Sequence, residues 1–290
     1  MRRVLVGLIG ANIQKSLSPA LHEDAFAAAG MHGHYHLMDL DRLPRRSLAD
    51  ILDAARMAGF AGVNVTYPCK EAVLPLLDEL SDEARQIGAV NAVTFDRDGR
   101  TKGYNTDRTG FRRGFEEALG RIDGETLLLV GAGGAGRAVG FALLDLGAAR
   151  ILAYDAVPER ARALAAALGE HRCIVESDPA LALARAAGVV NATPVGMSGY
   201  AGNPIPMRAV ERRHWVADVI YTPLETELIK GARAKGARVV GGAGMCVFQA
   251  VESFRLFSGI TPDVSRMHRT FSAAVAIRER TLTEGDGARH

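Results

Sequence analysis

A short apolar run that leads directly into a glycine-rich turn constrains the fold of this chain more than any other feature. Thr126–Val130 has the composition of a buried strand, a G-x-G-x-x-G turn follows at once, and a helical pattern comes next. In this setting the glycines allow a tight turn and close approach of a ligand, and the free N–H groups at the helix start bind phosphates. The sequence therefore predicts a dinucleotide site; a glycine-rich turn without a ligand is the alternative. The predicted loop consists of Gly131, Ala132, Gly133, Gly134, Ala135 and Gly136.

The next predicted strand, Arg150–Tyr154, ends at an acidic residue, Asp155. An acid at this place accepts hydrogen bonds from the adenosine ribose hydroxyls and would repel a 2′-phosphate. Asp155 therefore predicts NAD as the preferred cofactor, with NADP as the weaker one. The alternative is a plain turn residue before Pro158, and Arg160, just downstream, would soften the preference.

Strand-like and helical runs alternate along all 290 residues, a length that corresponds to about two domains. Such alternation is typical of βαβ units and of mostly parallel sheets, so we expect an α/β fold. A second series of strands and helices begins near Glu125. The seam, meaning the boundary between the two domains, is therefore expected between Asp107 and Glu125. Among the helices, the sequence predicts Pro19–Ala29 with Ser18 as its N-cap, Pro68–Leu80, and Thr109–Leu119.

Composition excludes several classes of partner. The 35 Lys and Arg residues nearly balance the 33 Asp and Glu residues, so no strong field is available to gather nucleic acid or anionic lipid. No run reaches 18 apolar residues, which argues against a membrane span. Three widely spaced cysteines fit neither a disulfide framework nor a zinc site, and they indicate a reducing cytoplasm. We expect no bound metal.

Lys70 and Asp107 are the candidates for acid–base chemistry. Lys70 lies near the start of the predicted helix Pro68–Leu80, where a cation is electrostatically disfavoured and a neutral amine can accept a proton. Asp107 follows Asn105-Thr106 just before the seam, and its carboxylate would share a hydroxyl proton with Lys70. The alternatives are a solvated surface lysine paired with an acidic neighbour, and an aspartate that only caps the next helix.

Hydroxyl and amide side chains form a second group of candidates. Ser16-Leu-Ser18-Pro puts two hydroxyls at a helix start, which suits a carboxylate ligand, although a helix cap alone is the alternative. Asn64 and Asn91 lie in or beside apolar strand runs, where asparagine is depleted. Their amides would face a polyol, or they are satisfied structural amides.

A series of short motifs spans nearly the whole chain. They are Ser16-x-Ser18-Pro19, Asn64-Val-Thr66-x-Pro68-x-Lys70-Glu71, Gly88-Ala-Val-Asn91, Asn105-Thr-Asp107, the glycine loop, Asn191-Ala-Thr193-Pro-x-Gly196-Met197, Asp218-Val-Ile-Tyr221 and Gly244-Met245-x-x-x-Gln249. In this order they are highly specific. On them the chain resembles the shikimate/quinate dehydrogenases, in particular the NAD-using quinate/shikimate branch.

The resemblance implies an N-terminal α/β substrate domain and a Rossmann-type dinucleotide-binding domain, with an active-site cleft between them. Residues 1–107 would form the substrate-binding and catalytic domain together with returning helices over residues 246–280. Residues 108–245 would form the dinucleotide-binding domain, and residues 281–290 a flexible tail.

The resemblance also implies roles for individual residues. Ser16 and Ser18 would hold the substrate carboxylate, and Lys70 and Asp107 would form the catalytic pair. The residues implied near the substrate ring are Thr66, Asn91, Asp107, Tyr221 and Gln249. The residues implied near the cofactor, besides the glycine loop, are Asp155, Arg160, Thr193, Pro194, Val219, Gly242 and Met245.

The activity that the resemblance implies is reversible oxidation of a ring hydroxyl, of shikimate to 3-dehydroshikimate and of quinate to 3-dehydroquinate. It would serve aromatic amino-acid biosynthesis through chorismate, or quinate catabolism. The expected partner is the small-molecule substrate, and a homodimer is one assembly compatible with the sequence.

Four positions depart from the common biosynthetic members. Asn12 and Lys15 replace a proline and a histidine before the first serine, Asp155 replaces a segment that grips a 2′-phosphate, and Arg108 stands where glycine is common. Many quinate users carry threonine at the second serine position, whereas this chain has Ser18, so substrate preference stays open. Two other functions are alternatives: a non-catalytic dinucleotide sensor, which would need no proton-transfer pair, and a folate-linked dehydrogenase, which the serines disfavour.

Overall fold

The computed structural model describes the backbone of residues 2–287 and the side chains of residues 2–278. The strands are β1 Arg3–Gly10, β2 His32–Asp39, β3 Gly62–Val65, β4 Glu79–Leu80, β5 Ala92–Phe95, β6 Thr101–Tyr104, β7 Thr126–Val130, β8 Arg150–Tyr154, β9 Cys173–Val175, β10 Gly188–Asn191, β11 Trp215–Asp218 and β12 Arg238–Val240. The helices are α1 Ser18–Ala28, α2 Leu48–Met57, α3 Cys69–Ala72, α4 Asp82–Ile87, α5 Asp107–Leu119, α6 Gly134–Asp145, α7 Pro158–Leu168, α8 Pro179–Ala184, α9 Glu227–Ala234, α10 Ala243–Ser258 and α11 Val264–Gly287.

The described chain forms two compact units, each with its own sheet. The first unit contains residues 2–81, 90–106 and the chain from Ala250 onward, and the second contains residues 82–89 and 107–249. The predicted α/β class with two domains is confirmed. The unit boundaries differ from the predicted ones, because residues 82–89 and Asp107 lie in the second unit and the C-terminal return begins at Ala250.

The sheet of the first unit has the order β2-β1-β3-β5-β6-β4. β1, β2 and β3 run parallel, whereas β5 is antiparallel to both β3 and β6, so the expectation of a mostly parallel arrangement holds only for part of this sheet. Its core includes Phe26 of α1 and Phe254 of α10, whose ring centroids lie 4.8 Å apart. Arg266 of α11 donates two hydrogen bonds to Asp24 of α1, at 2.7 and 2.8 Å, which ties the C-terminal helix to this unit.

The sheet of the second unit has the order β12-β11-β10-β7-β8-β9, and the described pairs are all parallel. Counted from β7, this is the doubly wound order 3-2-1-4-5-6, in which the strand order reverses between β7 and β10. Ligands of such sheets bind outside the carboxyl ends of the strands at this reversal. The single tryptophan, Trp215, lies in the core as expected and packs edge-on against Phe115 with centroids 4.9 Å apart.

Arg108 explains why residues 82–89 belong to the second unit. Its guanidinium donates to both carboxylate oxygens of Asp145 on α6, at 2.6 and 2.7 Å, and to Gln86 of α4 at 3.1 Å. Arg137 of α6 also donates to the Ile87 carbonyl. Arg108, one of the departures from the family pattern, is therefore a clamp between α4, α5 and α6.

Three local predictions are wrong. The helix predicted over Pro68–Leu80 is one turn, Cys69–Ala72, followed by a 3₁₀ turn at Leu74–Leu76 and by β4, because Pro75 lacks an N–H and interrupts the helical hydrogen bonds. Ser18 is the first residue of α1 rather than its N-cap. The tail expected from residue 281 is helical to Gly287, and residues 288–290 lie outside the described chain.

Candidate functional site

The predicted cofactor residues of the second unit lie at the carboxyl ends of its parallel strands. The glycine loop follows β7, Asp155 follows β8, and Thr193 and Pro194 follow β10. Val219 follows β11 and Gly242 and Met245 follow β12. Parallel strands bring their carboxyl ends to one edge, so these residues share the edge that includes the strand reversal.

The glycines of the loop behave as their spacing predicts. Gly131 has φ +100°, a conformation that favours glycine. A Cβ on Gly136 would collide with the Gly131 carbonyl, so this position closes the turn, whereas a Cβ on Gly133 would meet no atom within 4 Å. Gly133 therefore leaves its face open to a ligand.

Backbone donors are available at the start of α6. The first helical hydrogen bond runs from the Arg137 N–H to the Gly133 carbonyl at 2.9 Å. Within the described chain, the N–H groups of Gly134, Ala135 and Gly136 have no backbone acceptor. Free N–H groups at a helix start, together with the helix dipole, form a phosphate site, so this loop fits the pyrophosphate of a dinucleotide.

Asp155 is joined to the glycine loop. One oxygen of its carboxylate accepts a hydrogen bond from the Ala132 N–H at 2.7 Å, and the other accepts from the Val157 N–H at 2.8 Å. The second bond matches the turn-residue alternative, and the first places the negative charge against the loop. Arg160 is exposed on α7 and makes no ion pair with a described residue.

Asn191 and Asp218 form a buried pair that the sequence reasoning did not single out for a role. They are the last residues of β10 and β11, stand in register, and are bonded from Asn191 Nδ2 to Asp218 Oδ1 at 3.1 Å. Thr226, the N-cap of α9, donates its hydroxyl to Asp218 Oδ2 at 2.8 Å. The sequence signal that could have identified them is the presence of asparagine and aspartate inside strands, where both residue types are depleted. Burial raises the pKa of Asp218 to about 6.

The predicted substrate residues of the first unit also share one sheet edge. Ser16 and Ser18 follow β1, and Thr66 and Lys70 follow β3, which is parallel to β1. Asn91 precedes β5, which is antiparallel to β3, so it lies at the same edge, and its carbonyl accepts from the Val65 N–H at 2.9 Å.

The two serines differ in their local bonds. Ser16 Oγ accepts a long hydrogen bond of 3.2 Å from the Ser18 N–H, which is a capping contact. The Ser18 side chain is buried, and within the described residues its hydroxyl has no hydrogen bond. Ser18 is therefore the serine whose hydroxyl has capacity for a ligand.

The side-chain amides of Asn64 and Asn91 have different hydrogen-bond partners. Both N–H bonds of the Asn64 amide are used, by the Asn91 carbonyl at 3.0 Å and by Ser253 Oγ at 2.9 Å, and its oxygen accepts from the Tyr35 hydroxyl at 3.0 Å. Asn64 is thus a structural amide. Asn91 accepts from the Thr106 N–H at 2.7 Å and donates to the Thr106 hydroxyl at 2.9 Å.

Lys70 and Asp107 belong to different units. Lys70 is half-buried on the one-turn α3, and its carbonyl accepts from the Val90 N–H at 2.8 Å. Because α3 has four residues, the helix-dipole argument for a neutral lysine loses its basis. Asp107 is buried and is the first residue of α5, rather than a residue that precedes the helix.

The remaining candidates lie in the second unit or outside the site. Tyr221 and Gln249 are half-buried, and Gln249 donates to the Cys246 carbonyl at 2.9 Å. Burial raises the pKa of the Cys69 thiol, so its neighbourhood with Lys70 does not activate it. Among the residues described, no group of three His, Cys, Asp or Glu side chains is placed to hold a metal, and no helix is long and apolar enough to cross a membrane.

Comparison with known proteins places this geometry in a family. A protein-family model described as the shikimate dehydrogenase substrate binding domain matches residues 8–93. A quinate/shikimate dehydrogenase (NAD(+)) of Corynebacterium efficiens is 48% identical over 92% of this chain and 97% of its own length. A shikimate dehydrogenase (NADP(+)) of Streptomyces avermitilis is also 48% identical, over 91% and 93%.

Solved structures agree. The quinate dehydrogenase of Corynebacterium glutamicum in complex with NAD is 43% identical, has a TM-score of 0.86, and matches 94% of this chain and 100% of its own. The shikimate 5-dehydrogenase of Thermus thermophilus in complex with NADP(H) and shikimate is 38% identical with a TM-score of 0.82, over 94% and 100%. The resemblance read from the motifs is therefore confirmed, and this chain belongs to the shikimate/quinate dehydrogenase family of oxidoreductases.

Proposed function

We propose that this chain is an NAD-preferring dehydrogenase that reversibly oxidises a ring hydroxyl of shikimate, and of quinate as a second substrate. The comparisons support NAD, because two Corynebacterium relatives are named for NAD(+) and a neighbouring structure contains NAD, while a relative of equal identity to one of them is named for NADP(+). The hydrogen bond between Asp155 and the glycine loop carries the proposal. A carboxylate at this place binds ribose hydroxyls and repels a 2′-phosphate.

The residues of the second unit fit a bound dinucleotide. The N–H groups at the start of α6 would hold the pyrophosphate, Asp155 the adenosine ribose, and Thr193, Pro194 and Met245 would lie near the nicotinamide. When bound, NAD supplies the acceptor for the hydride that leaves the ring carbon. Arg160, downstream of Asp155 on α7, would offset part of its charge.

The proton of the reacting hydroxyl needs an acceptor from the protein. We propose Lys70 as this acceptor, with Asp107 orienting the hydroxyl, so the proton passes to the Lys70 amine during oxidation and returns during reduction. Ser16 and Ser18 would bind the substrate carboxylate, and Thr66, Asn91, Tyr221 and Gln249 the remainder of the ring. Two of these side chains, Ser18 and Asn91, are themselves buried, which excludes water from the hydrogen bonds that they would make.

One assay tests the function. NADH or NADPH formation is followed by absorbance with shikimate, quinate, methylene-tetrahydrofolate, or no substrate. We expect turnover with shikimate, with quinate, or with both, and a higher kcat/KM with NAD than with NADP. Turnover with the folate alone would refute the proposal and favour a folate-linked dehydrogenase, and binding of NAD without turnover of either acid would refute it and favour a dinucleotide sensor.

Location and assembly complete the proposal. The three cysteines, Cys69, Cys173 and Cys246, are buried and are not in disulfides, as in proteins of a reducing compartment, and this supports a cytoplasmic location. A homodimer is the assembly proposed. Static light scattering at micromolar concentration tests it, and a mass equal to that of a single chain would refute it.

A further inference from the structure

We propose that Asp218 is a positioning residue for the nicotinamide end of the cofactor, because its carboxylate is bonded to Asn191, which holds the loop after β10, and to the segment after β11. The inference rests on the proposed function. Asp218 belongs neither to the glycine loop nor to the proposed proton-transfer pair.

The first connection runs through Asn191 to the loop that follows β10. Asn191 Nδ2 donates to Asp218 Oδ1 at 3.1 Å and to the Val195 carbonyl at 3.1 Å. Asn191 Oδ1 accepts from the Thr193 hydroxyl at 2.7 Å and from the Thr193 N–H at 3.0 Å. The amide of Asn191 thus fixes the loop from Thr193 to Val195, and Asp218 fixes the amide.

The second connection reaches the segment that follows β11. Asp218 Oδ1 also accepts from the Ile220 N–H at 3.0 Å, which sets the direction in which the chain leaves the strand towards Tyr221. On its other oxygen, Asp218 accepts from the hydroxyl of Thr226, whose own oxygen accepts from the Ile229 N–H at 3.3 Å. Both carboxylate oxygens are therefore committed to donors on different segments.

The third connection is through space. A cavity of about 10 Å³, close to the size of one water molecule, borders Asp218. Its other lining residues include Gly241 and Met245, which follow β12. Asp218 is therefore linked, by hydrogen bonds or across this cavity, to the segments after β10, β11 and β12, which include the predicted cofactor residues Thr193, Val219 and Met245.

A role in stability alone does not account for a carboxylate here. Asp218 is 2% exposed, no cationic side chain is among its described partners, and burial raises its pKa to about 6. Burying an unpaired charge opposes folding, and hydrogen bonds from neutral donors recover only part of the loss. The carboxylate of Asp218 provides two hydrogen-bond acceptors in a fixed orientation, which an apolar side chain could not provide.

The test compares two ligands that differ only in the nicotinamide. NAD contains it and ADP-ribose does not, so a defect at the nicotinamide end affects kcat and NAD binding but leaves ADP-ribose binding intact. In Asp218→Ala we expect kcat to fall by at least about tenfold, since small misplacement of reacting groups has effects of this size or larger. The dissociation constant for ADP-ribose, measured by calorimetry, should stay within about twofold.

Matched variants separate positioning from folding. Asp218→Asn keeps an oxygen that can accept from Ile220 and Asn191, so it should retain kcat within about threefold. Asp178→Ala removes a side chain of the same type that caps α8 in the same unit, and it should lower the melting temperature without changing kcat. If Asp218→Ala does not fold, Asn191→Ala breaks the connection from the loop side and should show the same separation between kcat and ADP-ribose binding.

The outcomes are distinct. A kcat above half of the wild-type value in folded Asp218→Ala, or equal loss of ADP-ribose and NAD binding, would overturn the inference. Absence of turnover in the wild-type protein would instead refute the proposed function. In that case the ratio of the NAD and ADP-ribose dissociation constants, compared between wild type and Asp218→Ala, still decides whether Asp218 acts at the nicotinamide end.

Discussion

The carboxylate of Asp155 accepts a hydrogen bond of 2.7 Å from the N–H of Ala132, the second residue of the glycine loop. This bond joins the ends of β8 and β7, so Asp155 acts both as a charge and as a hydrogen-bond acceptor. Asp155→Asn keeps an acceptor oxygen but removes the charge, whereas Asp155→Ala removes both.

We expect Asp155→Asn to narrow the ratio of kcat/KM for NAD over NADP, because the like-charge repulsion of a 2′-phosphate disappears. Asp155→Ala should narrow the same ratio and also weaken ADP-ribose binding, because the loop loses its bond. Steady-state kinetics at saturating shikimate, together with calorimetry, measure both effects. A ratio that is unchanged in both variants would assign cofactor choice to Arg160 or to another side chain.

Removal of the Ser18 hydroxyl and removal of the Ser16 hydroxyl are expected to differ in their effect on the melting temperature. Ser18→Ala should raise the KM for shikimate by roughly 10- to 150-fold, which corresponds to about 1.5–3 kcal/mol for a lost hydrogen bond to a charged group. Its melting temperature should hardly change, because the hydroxyl has no hydrogen bond within the described residues. Ser16→Ala should raise the KM and also lower the melting temperature slightly, since it loses a capping contact. An unchanged KM in both variants would reduce the serines to structural residues.

Lys70 is expected to act in the chemical step rather than in binding. Lys70→Ala and Lys70→Met should each lower kcat by about 10²–10⁴, the usual contribution of a general base, with little change in KM. Measurements at pH 7 and pH 9, with Lys102→Met on β6 as a control lysine outside the candidate site, test this. If either Lys70 variant keeps more than about a tenth of the wild-type kcat, Asp107 becomes the candidate base.

His22 predicts a loss of stability in acid. The ring is buried against Tyr35 at a centroid distance of 4.8 Å, and neither nitrogen has a hydrogen-bond partner in the described chain. Burial lowers its pKa from 6.5 to about 3, so the unfolded chain binds the proton more tightly. The stability that the neutral ring provides is present above about pH 6.5 and is lost as the pH falls towards 3, by roughly 5 kcal/mol at most.

The His22→Phe variant tests this assignment. It should show a shallower dependence of the unfolding free energy on pH between 6.5 and 3 in urea titrations. His32→Phe makes the same change at an exposed position and should keep the wild-type dependence. Parallel curves for wild type and His22→Phe would show that other groups cause the acid sensitivity.

Asp218 predicts a change in stability of opposite sign to that of His22, within the same pH range. Its folded pKa is raised from 3.8 to about 6, so the folded chain holds the proton more tightly, and stability falls as the pH rises from about 4 to 6. Asp218→Asn lacks this titration. Relative to wild type it should gain up to about 3 kcal/mol of stability between pH 4 and pH 7, measured by urea unfolding at both values. An equal difference at the two pH values would contradict the raised pKa.

The sequence by itself determined the features whose hydrogen bonds or sterics are local. The glycine loop, the helix that follows it and Asp155 at the next strand end were predictable, because the turn and the free N–H groups depend on contiguous residues. The alternation of strands and helices likewise predicted two α/β domains. The order of motifs predicted the family, since many residue types at fixed spacing coincide rarely.

Only the tertiary structure decided features that depend on residues far apart in the chain. Asn64 could not be recognised as a structural amide before Ser253 was brought to it, and Arg108 could not be recognised as a clamp before Asp145 was. The helix over Pro68–Leu80 ends early at Pro75, which is a local cause, but the formation of β4 after it depends on pairing with β6, which periodicity does not report. Asp218 acquired partners on β10 and at the start of α9 in the same way, because side-chain hydrogen bonds and burial are set by packing between elements and not by sequence spacing.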